Sequence, residues 1–147
     1  MATGAFIQKG IEFAGRPGKT RILLVDEEAR DLKLYRLVLE GQGFEVRACS
    51  SYESGVRSLN AEPFDFVLVS QGSLAFEGRV VLDRAVELDR HRAVLVVTRC
   101  IEMGCYLEAM QMGAVDYLEK PLAPKELLRL VQAHVQHQRF RMSAGVA

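Results

Sequence analysis

FDFVLVSQGS, residues 64–73, is the stretch that decides the fold. Its run of phenylalanine, valine and leucine is bulky on both faces, which is typical of a strand in a parallel sheet that helices cover above and below. The run stops at Ser70, and the next three residues are turn formers. Because open α/β sheets place their chemistry at the carboxyl ends of the strands, the pattern predicts that Ser70 lies at a functional edge.

Five alternations of a strand pattern with a helix pattern cover most of the chain. The predicted strands are RILLV (21–25), EVRACS (45–50), the quoted run, AVLVVT (93–98) and DYLEK (116–120). Right-handed crossovers then favour one arrangement, a doubly wound, flavodoxin-like α/β fold with helices on both faces. We expect a five-stranded parallel sheet in the order 2-1-3-4-5.

The helix patterns also predict which side chains face the core. The spacing predicts inward Leu34, Leu37 and Val38 in the first helix, an inward Leu88 in the third, and inward Leu107 and Met110 in the fourth. For domain organisation we expect a leader over residues 1–20, a single domain over 21–138 and a tail over 139–147. The leader has two interpretations, disorder or weak docking through its apolar side chains.

Composition excludes several classes of protein. The chain has 147 residues, and its 19 basic and 19 acidic residues give no net charge, so direct binding of nucleic acid is not predicted. Three cysteines fit neither a metal spacing nor an even disulfide framework, which favours a cytoplasmic location. No apolar run approaches the roughly 20 residues of a membrane span, so no membrane association is expected.

Polar residues gather where the predicted strands end. Asp26 and Glu27 follow the first strand, Thr98 ends the fourth and Lys120 ends the fifth. Adjacent carboxylates suit Mg²⁺, while a lysine and a hydroxyl suit an anion, so together they indicate a phosphoryl site. Taken singly, the acidic pair is as typical of a helix start and the lysine of a solvated charge.

Residues 21 to about 137 resemble the receiver domain of bacterial two-component response regulators. The matching text is RILLVDEE, FDFVLVS, EGRVVL, AVLVVT and GAVDYLEKPL. The resemblance implies an acidic pair that binds Mg²⁺, an aspartate that takes a phosphoryl group from a histidine kinase, and a hydroxyl and a lysine that contact the phosphoryl oxygens. Carried over, these roles fall to Asp26 and Glu27, to Thr98 and to Lys120, with Tyr117 as the switch aromatic. The position that matches the phosphoacceptor is Ser70.

That serine is the main departure from the family pattern. A carboxylate with a pKa near 3.9 is ionised at neutral pH, whereas a serine hydroxyl needs an adjacent base to act as a nucleophile. Arg99 stands where the family usually has a small residue, and it has three interpretations: a plug of the entrance, a cation for the acidic pair, or a solvated side chain. Leu74 replaces a proline of the family pattern, while Gly78 remains.

The same departure weakens the expected metal site. Mg²⁺ would keep Glu27, a backbone carbonyl from Gly72 and more water, so we expect no cofactor, or weakly bound Mg²⁺. The bond between Lys120 and Pro121 resembles the family's cis peptide.

The leading hypothesis is therefore an atypical, non-enzymatic receiver that signals through a protein partner, or through a second copy of itself, without aspartyl phosphorylation. The resemblance places that surface on the fourth helix, fifth strand and fifth helix, where Met103, Tyr106, Met110, Met112 and Tyr117 are candidate contacts. A histidine kinase is a possible partner. The alternatives are a working phosphoreceiver with a displaced or seryl acceptor, and a flavodoxin-like cofactor-binding protein.

Overall fold

The computed structural model describes residues 19–145, with side chains described as far as Gln136. The expected leader lies outside this range except for its last two residues, and residues 146 and 147 of the expected tail lie outside it too. Five strands alternate with five helices: β1 Arg21–Val25, α1 Ala29–Gly41, β2 Glu45–Cys49, α2 Tyr52–Ala61, β3 Phe66–Ser70, α3 Arg79–Leu88, β4 Ala93–Thr98, α4 Met103–Met112, β5 Asp116–Glu119 and α5 Pro124–Gly145.

The strands form one parallel sheet in the order β2-β1-β3-β4-β5. This confirms the predicted fold class and the predicted strand order. β3 lies at the centre and all five of its residues are buried, as expected of a strand covered on both faces. β2 lies at one edge of the sheet, where Glu45 and Arg47 are exposed and Val46 and Ala48 are half-buried.

Alternate strand residues feed two separate cores, because successive side chains point to opposite faces of a sheet. One core joins Leu23, Val67 and Val94 to the side chains of α2, α3 and α4. The other joins Ile22, Phe66 and Leu95 to α1 and α5. The helices therefore cover both faces of the sheet.

The predicted inward face of α1 is wrong for two of its three residues, since only Val38 packs against the core as expected. Leu34 and Leu37 are 44% and 59% exposed, whereas Tyr35 and Leu39 are buried. The helix begins at Ala29, and Asp31, Tyr35 and Leu39 recur every four residues, so they share one face. Asp31 forms an ion pair with Lys120 across the sheet edge, and this contact is consistent with the rotation that the helix adopts.

Two further leucines were also placed wrongly. Leu88 ends α3 and is 45% exposed, and Leu107 is 49% exposed. In α4 the buried residues are Cys105 and Ala109, so the smaller side chains face the sheet. Met110 is half-buried and packs against the same core, as expected.

The bond between Lys120 and Pro121 is cis. Over the residues that the structure describes, every helix is too short or too polar to cross a lipid bilayer.

Candidate functional site

The strand register aligns the predicted site residues at one edge of the sheet. Val25 pairs with Val69, so Asp26 lies level with Ser70, and Ser70 in turn pairs with Val97, the residue before Thr98. The backbone N–H groups of Asp26, Gln71 and Lys120 continue the ladder past the strands to the carbonyls of Cys49, Val97 and Thr98. These bonds fix the backbone from which the site side chains project.

Asp26 and Lys120 form a buried ion pair. The Lys120 Nζ lies 2.8 Å from Asp26 Oδ2, and the two side chains are 2% and 1% exposed. The other Asp26 oxygen accepts a 2.9 Å bond from the Glu28 backbone N–H. A charged pair at this depth needs all of these bonds to offset the loss of its hydration.

Glu28 and Asp31 extend the pair into a cluster of charges. Lys120 Nζ also lies 3.2 Å from Glu28 Oε1 and 3.0 Å from Asp31 Oδ2. From outside, Arg99 donates to both oxygens of Glu28 at 2.7 and 2.8 Å and to Asp31 at 2.9 Å. One oxygen from each of the three carboxylates lies within 4.8 Å of the others, but two cations of the chain already bind them. These residues line a crevice at the carboxyl ends of the strands. We call the five of them, Asp26, Glu28, Asp31, Arg99 and Lys120, the charged side of the crevice.

The electrostatics follow from this arrangement. Arg99 holds the pKa of the Glu28 carboxyl at about 2, well below its usual 4.5. Burial alone would lower the pKa of Lys120, but hydrogen bonds to Asp26 and Asp31 raise it above its ordinary value. Lys120 therefore carries a positive charge at neutral pH.

The other side of the crevice carries the hydroxyl groups of Tyr52 and Ser70. The Glu27 carboxylate accepts a 2.5 Å bond from the hydroxyl of Tyr52, the first residue of α2. The Ser70 oxygen accepts from the Gly72 backbone N–H at 3.3 Å. We call these four residues, Glu27, Tyr52, Ser70 and Gly72, the hydroxyl side.

Two glycines let the chain approach closely here. Gly72 has a φ of +87°, and a methyl group on it would press on the Tyr52 oxygen and the Glu77 carboxylate. A methyl group on Gly78 would overlap the carbonyl oxygen of Ser70. Both positions need glycine for space, and Gly72 needs it for conformation as well.

Thr98 and Tyr117 do not point toward the carboxylates. The Thr98 hydroxyl exchanges bonds with the backbone of Cys100, donating at 3.0 Å and accepting at 3.2 Å. Tyr117 is buried, its hydroxyl donates to the side chain of Gln71, and it accepts from the Glu102 N–H at 3.2 Å. Tyr117 therefore links the loop after β3 to the loop after β4.

The predicted residues thus divide into separate groups. Asp26 and Lys120 meet, whereas Glu27 faces Tyr52 and Thr98 faces its own loop. Arg99 reaches acidic residues, but they are Glu28 and Asp31 instead of the predicted pair. Asp31 could have been found from the sequence, since it lies three residues after Glu28 and so on the same helix face. Tyr52 and Gln71 carried no such signal.

Comparison with known proteins gives a family match. The sequence model of the response regulator receiver domain family matches residues 22–132 of this chain. The alginate biosynthesis transcriptional regulatory protein AlgB of Pseudomonas aeruginosa is 35% identical over 107 residues, which are 73% of this chain and 24% of that protein. The phosphate regulon transcriptional regulatory protein PhoB of Klebsiella pneumoniae is 32% identical over 119 residues, 77% of this chain and 50% of that protein. The chain therefore spans between a quarter and a half of the length of these relatives.

Solved structures show the same fold. A CheY-like receiver domain protein from Methanospirillum hungatei JF-1 superposes with a TM-score of 0.80 and 25% identity, covering 84% of this chain and 99% of that one. A receiver domain protein from Clostridium thermocellum gives a TM-score of 0.70 and 26% identity, covering 85% and 98%.

Proposed function

Because this chain belongs to the response regulator receiver domain family, we propose that it is an atypical receiver that acts by binding a protein partner and does not depend on aspartyl phosphorylation. Receiver domains act in two-component signalling through histidine kinases and effector domains. We place the domain within residues 21–138. We place its action in the cytoplasm, in keeping with its three free cysteines.

The observation that carries the proposal is the hydroxyl at the end of β3. Ser70 is 5% exposed and occupies the strand end level with Asp26. Its described side-chain hydrogen bond is from the Gly72 N–H, and an amide N–H is not a base that could take the serine proton. A neutral alcohol held in this way is a poor nucleophile toward phosphorus.

The residues present also fit a magnesium ion badly. Mg²⁺ needs several free oxygen ligands at about 2.0–2.1 Å. Here the Asp26 carboxylate binds Lys120, the Glu27 carboxylate binds Tyr52, and Ser70 supplies no charge. Without the metal the crevice lacks a divalent cation to neutralise a phosphoryl group in transfer, and without a carboxylate at β3 it lacks the nucleophile.

The proposed partner surface lies on the face of α4. Ile101, Met103, Tyr106 and Leu107 are between 38% and 64% exposed and form an apolar stretch that begins just after β4. Met112 and Tyr117 do not contribute to the surface, since Met112 is half-buried against the core and Tyr117 is buried. This stretch belongs to the surface that the family resemblance implies, which also includes β5 and α5.

The hydrogen bonds of Tyr117 support action without phosphate. Gln71 is 1% exposed and holds the tyrosine inward, while Glu102 binds the same hydroxyl from the start of α4. These bonds fix the backbone beside the proposed surface using groups of the chain alone.

The experiment treats the full chain with a small-molecule phosphodonor and Mg²⁺ and then measures the intact mass. We expect no added phosphoryl group on the native chain. Ser70→Asp restores a carboxylate at the strand end and is expected to take up the group, even if slowly, through an acyl linkage that hydroxylamine cleaves.

Ser73→Asp is the matched control, because Ser73 lies in the exposed loop three residues later. This variant is expected to stay unmodified. A stable phosphate on Ser70 of the native chain would overturn the proposal in favour of the seryl acceptor, and a phosphate on another residue would favour a displaced one.

A further inference from the structure

Two of the residues expected to hold a magnesium ion, Glu27 and Gly72, lie beside the side chain of Tyr52. Glu27 accepts a 2.5 Å hydrogen bond from the Tyr52 hydroxyl. Gly72 lies so close that a methyl group on it would be 3.0 Å from the Tyr52 oxygen. The third expected ligand, Asp26, binds Lys120 instead. The Tyr52 oxygen therefore lies beside two of the three expected ligands.

We propose that Tyr52 is a built-in plug whose hydroxyl fills the place in the crevice that a metal ion would need. The inference rests on the proposed function and deepens it, since it names the side chain that closes the crevice. The Glu27 oxygen that accepts this bond would be free for a divalent ion only after the phenol had moved away. The Tyr52 phenol is an uncharged hydrogen-bond donor, so it satisfies the Glu27 carboxylate without adding a charge of its own.

The local structure holds the plug in position. Ser51 caps α2 by accepting from the Ser54 N–H at 3.1 Å, which fixes the first turn of the helix that carries Tyr52. The ring of Tyr52 packs against the core formed with α2, α3 and α4. Burial and the bond to Glu27 raise the pKa of Tyr52 above its ordinary value, so the phenol keeps the proton that it donates.

Gly72 completes the arrangement. Its φ of +87° is a conformation that favours glycine, and the missing side chain leaves room for the hydroxyl. The plug thus depends on a residue from α2 and on a glycine from the loop after β3.

The experiment measures Mn²⁺ binding, used as a paramagnetic probe, to the full chain carrying Ser70→Asp with and without Tyr52→Phe. The Ser70→Asp background supplies the carboxylate that the strand end lacks, and the phenylalanine removes only the hydroxyl while keeping the packed ring. We expect the dissociation constant for Mn²⁺ to fall about tenfold when the hydroxyl is removed, which corresponds to about 1.4 kcal/mol for one lost competing hydrogen bond.

Tyr106→Phe in the same background is the matched control, because Tyr106 lies on α4 and makes its ring contact with Tyr117. Its Mn²⁺ affinity is expected to equal that of Ser70→Asp alone. Equal affinity with and without the Tyr52 hydroxyl, in variants whose circular dichroism shows a native fold, overturns the plug and leaves the proposed function standing. Phosphorylation of the native chain would instead overturn the proposed function, and the plug would still be decided by the two Ser70→Asp variants.

Discussion

The two sides of the crevice satisfy their polar groups by different means. On the charged side, three carboxylates are held by Lys120, which follows β5, and by Arg99, which follows β4. On the hydroxyl side, Glu27 accepts from an uncharged phenol and Ser70 accepts from a backbone N–H. One side of the crevice is therefore an ionic network, and the other depends on uncharged hydrogen-bond donors.

This difference indicates which contacts contribute most to the stability of the fold. A buried charge that loses its partner costs several kcal/mol, whereas a lost hydrogen bond between neutral groups costs about 1 kcal/mol. We therefore expect the charged side to hold β1, β5 and α1 together, and the hydroxyl side to tolerate change. Single substitutions on each side test this difference.

Lys120→Met should have the largest effect. The variant leaves Asp26 buried without a cation and is expected to lower the free energy of unfolding by about 3–5 kcal/mol in urea denaturation. Adding Asp26→Asn to it should recover part of this loss, because the unpaired charge is then gone. Lys125→Met, on the exposed first turn of α5, is the control and should stay within about 0.5 kcal/mol of the native chain. A small loss in Lys120→Met would show that the charged side does not support the fold.

Gly78→Ala should come next, on the side of β3. The added methyl group would overlap the Ser70 carbonyl oxygen, a backbone atom, so the expected loss is about 1–3 kcal/mol. Gly41→Ala is the matched control, because nothing lies near its added methyl group and alanine favours the helix. That variant should gain about 0.5 kcal/mol in the same urea measurement. Equal stability of the two variants would contradict the close approach at Gly78.

Ser70→Ala should cost less. The Gly72 N–H loses its acceptor, while no charge is uncovered. The expected loss is about 1 kcal/mol, measured by urea denaturation beside Lys120→Met. If the two losses were alike, the distinction between the two sides would fail.

Arg99→Ala should have the smallest effect on the free energy of unfolding at neutral pH, since the arginine side chain is 57% exposed and water screens its ion pairs. Its main consequence is for pH dependence. A pKa of Glu28 held at about 2 instead of 4.5 stabilises the fold above about pH 4.5, and this contribution is lost as the pH falls toward 2. The stability difference between the native chain and the variant should therefore shrink over that window.

A carbon-detected NMR titration of Glu28 checks the cause directly. Its pKa should rise toward 4.5 in Arg99→Ala and stay near 2 in the control Arg36→Ala, which removes an exposed pair with Glu40. An unchanged Glu28 titration in Arg99→Ala would separate Arg99 from the charged side.

Much of the architecture could be predicted from the sequence. The buried run ending at Ser70 indicated the central strand, and the alternation of strand and helix patterns led to the observed strand order. The meeting of Asp26 with Lys120 followed as well, because parallel strands bring their carboxyl ends to one edge. These features depend on the spacing of hydrophobic residues and on the direction of the strands, and both can be read from short segments of the sequence.

The rotation of α1 and the partners of the carboxylates could not be predicted in the same way. Leucines in α1 allowed two faces, and the structure places Tyr35 and Leu39 inward, on the face where Asp31 reaches Lys120. Glu27 meets Tyr52, a residue 25 positions later that belongs to a different helix.

The sequence by itself determined the sheet, its order and the neutral hydroxyl at its central strand, since each depends on residue type and local spacing. Only the tertiary structure decided that Arg99 and Lys120 share three carboxylates and that Tyr52 lies beside two of the expected metal ligands. Side chains from separate helices and loops become neighbours only when the helices dock on the sheet, and residue spacing along the chain does not encode the angle at which they dock.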